Sequence, residues 1–113
     1  MGKRKQKVSE NHLVILCMVP DRGSGEKIAH SLVDSRLAAC VNLVPGVVST
    51  FRWEGGVKKE EELLLFIKTA AGRFEATRAA ITMLHPYDTP EIIALHMAEG
   101  DPKYLSWLIE NSR

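Results

Sequence analysis

Four histidines and two cysteines are the side chains in this 113-residue sequence best suited to hold a metal ion. His12, His30, His85 and His96 show no close His-x-x-x-His pairing of the kind that brings two imidazoles to one helix face. His30 falls near the polar side of a predicted helix, His96 lies within a predicted strand, and His12 abuts a basic leader. His85 differs because Pro86 fixes the backbone beside it, and a rigid connector is where a site is best preorganised. Cys17 is the other candidate, since a thiolate with one imidazole suits a soft or borderline cation such as copper or zinc. Two donors do not close a site, so a third is required, and Glu91 or a group from another copy of the chain could supply it. The structural alternative makes Cys17 a buried core thiol, and Cys40 is assigned to the core.

The other polar residues suggest little chemistry of their own. Lys58-Lys59-Glu60-Glu61-Glu62 lies in a predicted strand, where neighbouring side chains point to opposite faces and do not converge. It reads as a solvated edge that discourages unwanted strand addition. Arg52, Trp53, Lys68 and Tyr87, with Glu91, are the polar and aromatic residues that could line a cleft for a small anion. No Gly-x-Ser-x-Gly nucleophile, Walker or dinucleotide glycine pattern is present, and Gly23-Ser24-Gly25 is too short to stand for one. The expected class is therefore non-enzymatic.

The elements that must position these residues follow from hydrophobic spacing and turn chemistry. Leu13 to Val19 is a short, continuous apolar run and reads as a strand buried on both faces. Glu26 to Leu37 carries Ile28, Ala29, Leu32, Val33 and Leu37 at helical spacing, with Ser24 placed as its cap. Val41 to Trp53 and Val57 to Thr69 are two strand-like arms of 13 residues each, joined by Glu54-Gly55-Gly56. Each arm can reach about 43 Å, more than the ~34 Å diameter expected of a compact chain this long. The hairpin must bend, with Pro45-Gly46 as the natural place, or its tip must leave the subunit. Arg73 to Leu84 predicts a second helix with Phe74, Thr77, Ile81 and Leu84 inward, and Pro86 ends it. Ile92 to Ala98 predicts a fourth strand, and Asp101-Pro102 predicts the start of a last helix. The order is α+β: a ferredoxin-like β-α-β-β-α-β subunit with an extra C-terminal helix and a long hairpin.

Right-handed crossovers place both main helices on one side of such a sheet, leaving the other side bare. Leu13 to Val19 and Leu63 to Ile67 are nevertheless apolar at successive positions, so both faces need cover. The over-long hairpin gives a second ground for the same expectation, a homo-oligomer. Composition is that of one soluble globular domain, 45% hydrophobic and 26% charged with a net charge of +1. The positive charge is concentrated in Lys3, Arg4, Lys5 and Lys7, so residues 1–11 are expected to be a disordered basic tail and 12–113 the domain. The rest carries an acidic excess, which argues against a nucleic-acid partner. No run approaches the length of a membrane helix, and Leu13 to Val19 lacks a cleavage site, so a cytoplasmic protein without a membrane partner is expected.

Several segments taken together resemble the CutA divalent-cation tolerance family. They are Leu37-Ala38-Ala39-Cys40-Val41-Asn42-Leu43-Val44-Pro45-Gly46, Phe51-Arg52-Trp53-Glu54-Gly55, Ile67-Lys68-Thr69, His85-Pro86-Tyr87-Asp88-Thr89-Pro90-Glu91 and Gly100-Asp101-Pro102-Lys103-Tyr104-Leu105-Ser106-Trp107-Leu108. The resemblance runs in order over roughly residues 13 to 111. It implies a homotrimer similar to the PII signalling proteins, with the hairpin reaching a neighbouring subunit. It also implies a role in metal-ion homeostasis, with weak copper or other divalent-cation binding at positions matching Cys17 and His85, and no cofactor needed for folding. Some members carry His-His-Pro-Tyr where this chain has Leu84-His85-Pro86-Tyr87, so one donor proposed in the family is absent. The alternative implied by the PII likeness is a sensor binding a small anion between subunits.

Overall fold

The computed structural model describes residues 11–113. Of the expected basic tail, residues 1–10 lie outside the described residues. Asn11 already belongs to the fold, because its carbonyl accepts the Ala71 N–H at 3.0 Å.

In chain order the elements are β1 (His12–Val19), α1 (Arg22–Asp34), β2 (Cys40–Trp53), β3 (Gly56–Ala70), a 3-10 turn (Ala71–Arg73), α2 (Phe74–Leu84), β4 (Ile92–His96) and α3 (Pro102–Glu110). The strands form one antiparallel sheet in the order β2-β3-β1-β4. β4 stops at His96 rather than Ala98 because β1, its partner, begins at His12; the Met97 N–H still reaches the His12 carbonyl at 3.1 Å.

Alternation along β1 and β3 sends Ile15, Cys17, Val19, Leu65 and Ile67 to one face. Ile28 and Leu32 of α1 and Ile81 of α2 pack there, and all of these side chains are fully buried. Each such aliphatic side chain contributes roughly 1.5–3 kcal/mol on burial, so this layer is the main source of subunit stability. On the other face α3 covers only part of β1 and β3, with Leu105 and Leu108 buried. Ile93 and Leu95 remain 48% and 52% exposed.

α1 starts four residues before the expected Glu26 and ends at Asp34 rather than Leu37. Asp21, not Ser24, is the cap: its backbone is extended and its carboxylate accepts the Ser24 N–H at 2.7 Å. The helix stops because Arg36 adopts a left-handed φ of 62°. The Arg36 N–H then bonds Val33 O at 3.1 Å and the Leu37 N–H bonds Leu32 O at 2.9 Å, a Schellman closure with arginine in the usual glycine place. Gly25 lies inside the first turn because a Cβ there would stand 2.7 Å from Leu43 Cδ1. Asp21→Ala is expected to lower stability by about 1 kcal/mol and Ser24→Ala by much less, measured by urea unfolding. At the other end of the chain Asp101 caps α3 as expected, accepting the N–H groups of Lys103 and Tyr104.

The hairpin both bends and projects. β2 pairs Val44 with Leu64 but Val47 with Glu62, so one extra residue is accommodated at Pro45-Gly46, where Gly46 has φ of 80°. This bulge changes which residues of β2 share a face with β3. Val41 stands opposite Ile67, whereas beyond the bulge Ser49 stands opposite Glu60 and Phe51 opposite Lys58. Glu54 and Gly55, both with positive φ, close the tip between Trp53 and Gly56, as a tight hairpin turn requires. The molecule measures 55 × 28 × 23 Å. Its long axis exceeds the expected compact diameter, consistent with a tip that stands clear of the body.

Candidate functional site

The projecting part of the hairpin, beyond the Pro45-Gly46 bulge, forms one side of a cleft of about 640 Å³. Strand alternation brings Phe51, Trp53, Lys58, Glu60 and Glu62 to that side, and Met18 at the end of β1 forms its floor. The facing side is the α2–β4 connector, which contributes Tyr87, Asp88, Thr89 and Glu91. Four carboxylates therefore face one ammonium across the space.

The connector is fixed by His85. Its backbone leaves the helix with ψ of 138°, as a residue before proline prefers. Its ring is buried and both nitrogens are engaged. Nδ1 accepts the Tyr87 N–H at 3.1 Å, which places the proton on Nε2, and Nε2 donates to the Met18 carbonyl at 2.7 Å. The His85 and Tyr87 rings lie 4.8 Å apart. Tyr87 then donates its hydroxyl to Glu62 at 2.9 Å. The phenol is pushed up to about 12 by burial first and by the Glu62 hydrogen bond next, so it stays a donor at neutral pH. Tyr87→Phe should lower stability by about 1–3 kcal/mol, since the buried Glu62 carboxylate loses a donor. Urea unfolding of Tyr87→Phe, Glu62→Gln and the double variant measures how much of that loss belongs to the pair.

Cys17 lies on the helix side of β1, fully buried, with its thiol directed at the same Met18 carbonyl at 3.8 Å. Burial pushes it up to about 12, with Glu91 and then Glu62 adding to the effect. Cys17 and His85 are thus brought to one backbone oxygen behind the cleft, while Glu91 lines the cleft itself. The three do not form a ready site. The thiol is protonated, the imidazole has no free nitrogen, and among the described residues no three His, Cys, Asp or Glu side chains are grouped to hold a metal ion.

The expected anion cleft divides. Trp53 and Tyr87 line the space, but Arg52 alternates to the other face of the hairpin and Lys68 sits 5.9 Å from the Tyr104 ring. The acidic run was expected to be wholly solvated; instead Glu62 is only 8% exposed and Glu60 shares its face. The two-residue offset between these glutamates was the available signal, although burial of Glu62 depends on Tyr87, which no local pattern reveals. Cys40, expected in the core, is half-buried beside Lys68. His30 and His96 are exposed, and His12 is buried at the start of β1.

The family model described as CutA1 divalent ion tolerance protein matches residues 13–111. The divalent-cation tolerance protein CutA of Thermus thermophilus is 48% identical over 99 residues, covering 88% of this chain and 96% of the relative. A chloroplastic CutA of Arabidopsis thaliana is 45% identical over 101 residues, 89% of this chain but 56% of the plant protein. A solved structure of the divalent cation tolerance protein from Thermus thermophilus superposes with a TM-score of 0.88 at 47% identity, covering 90% of this chain and 99% of that one. The family model spans nearly all of the described residues, and the α+β frame of four antiparallel strands and three helices matches the solved structure; the chain belongs to the CutA1 divalent-ion tolerance family.

Proposed function

We propose that this protein serves divalent-cation tolerance without catalysis, as a homotrimer of ferredoxin-like subunits arranged in the PII manner. Its cargo is copper or another divalent cation, held weakly by Cys17, His85 and Glu91 with a neighbouring subunit completing the site. The observation that carries the reading is the acidic cleft, with Cys17 and His85 meeting at the Met18 carbonyl directly behind it. Negative lining concentrates cations near the mouth. Weakness follows from what ligation must displace: a thiol proton at Cys17 and two hydrogen bonds at His85. No cation is required for the fold, whose core is the apolar layer between sheet and helices. The proposed compartment is the cytoplasm, where the two free thiols stay reduced. No helix among the described residues is long and apolar enough to cross a membrane.

The acidic lining speaks against the small-anion alternative, which loses both Arg52 and Lys68 as contacts. Titration with copper of wild type, Cys17→Ala, His85→Ala and Glu91→Gln tests the assignment. Each variant is expected to bind roughly tenfold or more weakly. Equal stoichiometry and affinity in all four proteins would sink the ligand set.

A further inference from the structure

One residue joins the ends of all three helices. Arg36 closes α1 through its own backbone, at a left-handed φ of 62° that glycine would adopt at lower cost. Its carbonyl accepts Arg73 Nη2 at 3.1 Å, and Arg73 is the residue on which α2 opens. Its guanidinium reaches the segment that ends α3: Nη2 donates to the backbone carbonyl of Glu110 and Nε to that of Arg113, both at 2.7 Å. The next carbonyl, of Leu37, accepts the hydroxyls of Thr69 at 2.7 Å and Thr77 at 3.2 Å, and both threonines are fully buried. The turn that carries Arg36 is therefore fixed to β3 and α2, and its side chain projects from a rigid base.

α3 has 9 residues, fewer than the roughly 12–15 that an isolated helix needs to persist in water. The side chains it buries are Leu105 and Leu108. Its formation therefore depends on docking and on its two ends. Asp101 serves the first turn. At the last turn local groups serve three of the four terminal carbonyls. The Asn111 N–H bonds Trp107 O at 3.1 Å, the Ser112 hydroxyl bonds Leu108 O at 2.7 Å, and the Ser112 N–H bonds Ile109 O at 3.2 Å. The fourth, Glu110 O, is served by Arg36 from 74 residues away. A cation at this position also complements the helix dipole. α3 and the α1–α2 layer lie on opposite faces of the sheet, so this one side chain ties the two faces together.

We propose that α3 is a strap that opens as a unit while the rest of the subunit stays folded, and that Arg36 is its latch. The device is separate from the copper assignment, since none of its bonds involves Cys17, His85 or Glu91. The test is native-state hydrogen exchange on the assembled full-length protein, read at the amides from Leu105 to Asn111 and at those of β1 and β3. Arg36→Gly keeps the left-handed turn but removes the guanidinium, and should speed exchange across α3 by about tenfold or more. Arg36→Asn tolerates the same φ with a side chain too short to reach Glu110, and should have the same effect if the glycine variant fails to fold. Ile28→Val supplies the opposite perturbation, because Ile28 is fully buried in the layer that stays intact when α3 opens. It should speed exchange in β1 and β3 by about threefold or more and leave α3 at the wild-type rate. Unchanged α3 exchange in the Arg36 variants would overturn the latch. Faster α3 exchange in Ile28→Val, by the same factor as in β1 and β3, would mean that α3 opens only with the whole subunit and would overturn the strap.

Discussion

The Ile93→Glu/Leu95→Glu variant is expected to be a folded single subunit with the 12.6 kDa chain mass, whereas wild type should scatter light as a multiple of it. The two side chains project from β4 on the side of the sheet away from the main helices and are about half exposed in the isolated subunit. Replacing exposed residues alters subunit stability by only about 0.5 kcal/mol in either direction. In an assembly built on this face the same change removes two apolar contacts of roughly 1.5–3 kcal/mol each. It also buries unpaired carboxylates at several kcal/mol apiece. A symmetric interface repeats the defect in every subunit. Together these terms raise the dissociation constant by about a thousandfold or more. Light scattering reads the mass and circular dichroism confirms the retained fold. An unchanged mass would remove the bare sheet face from the assembly interface.

That bare face was legible in the sequence, and the reason is physical. Leu13 to Val19 and Leu63 to Ile67 are apolar at positions pointing both ways, a requirement that periodicity states directly. The hairpin connection at Glu54-Gly55-Gly56 and the Asp101-Pro102 helix start were legible from the glycine and proline they contain, although the left-handed positions proved to be Glu54 and Gly55, with Gly56 already opening β3. The α1 boundary was not, because Asp21 and Ser24 are both good caps. The helix end was hidden too, because an arginine at left-handed φ carries no glycine signal.

The site was less legible than the fold. Whether Arg52 or Trp53 faces the cleft depends on the single extra residue at Pro45-Gly46, which shifts the pairing of everything beyond it. Burial of Glu62 depends on Tyr87, 25 residues away. The pairing of Cys17 with His85 came from donor chemistry and family likeness. The structure adds that the two meet at the Met18 carbonyl, in hydrogen bonds and protonation states that oppose ligation.

Alkaline solution should destabilise wild type more steeply than Cys17→Ala. The folded thiol titrates at about 12 against an ordinary 9.0, because burial, then Glu91, then Glu62 disfavour the thiolate. Above pH ~9 the unfolded chain has released this proton while the folded chain still holds it. The folded state therefore binds more protons, and stability falls as pH rises toward 12. At about 1.4 kcal/mol per unit, the full window removes up to about 4 kcal/mol, a large share of the roughly 5–15 kcal/mol typical of a domain. Cys17→Ala should begin about 1 kcal/mol less stable near neutrality through lost packing, then converge with wild type and cross it. Tyr87 and every other ionisable side chain except Cys17 are common to both proteins, so the difference between urea-unfolding curves at successive pH values isolates the thiol. Parallel curves would overturn the assignment. Thiol labelling adds an independent check: half-buried Cys40 should react at neutral pH in the native protein, and Cys17 only on unfolding. On the ligand set proposed above, copper taken up at Cys17 would displace this same proton. Its affinity in wild type should then rise by up to about tenfold per pH unit across the window, and Cys17→Ala should lack that dependence.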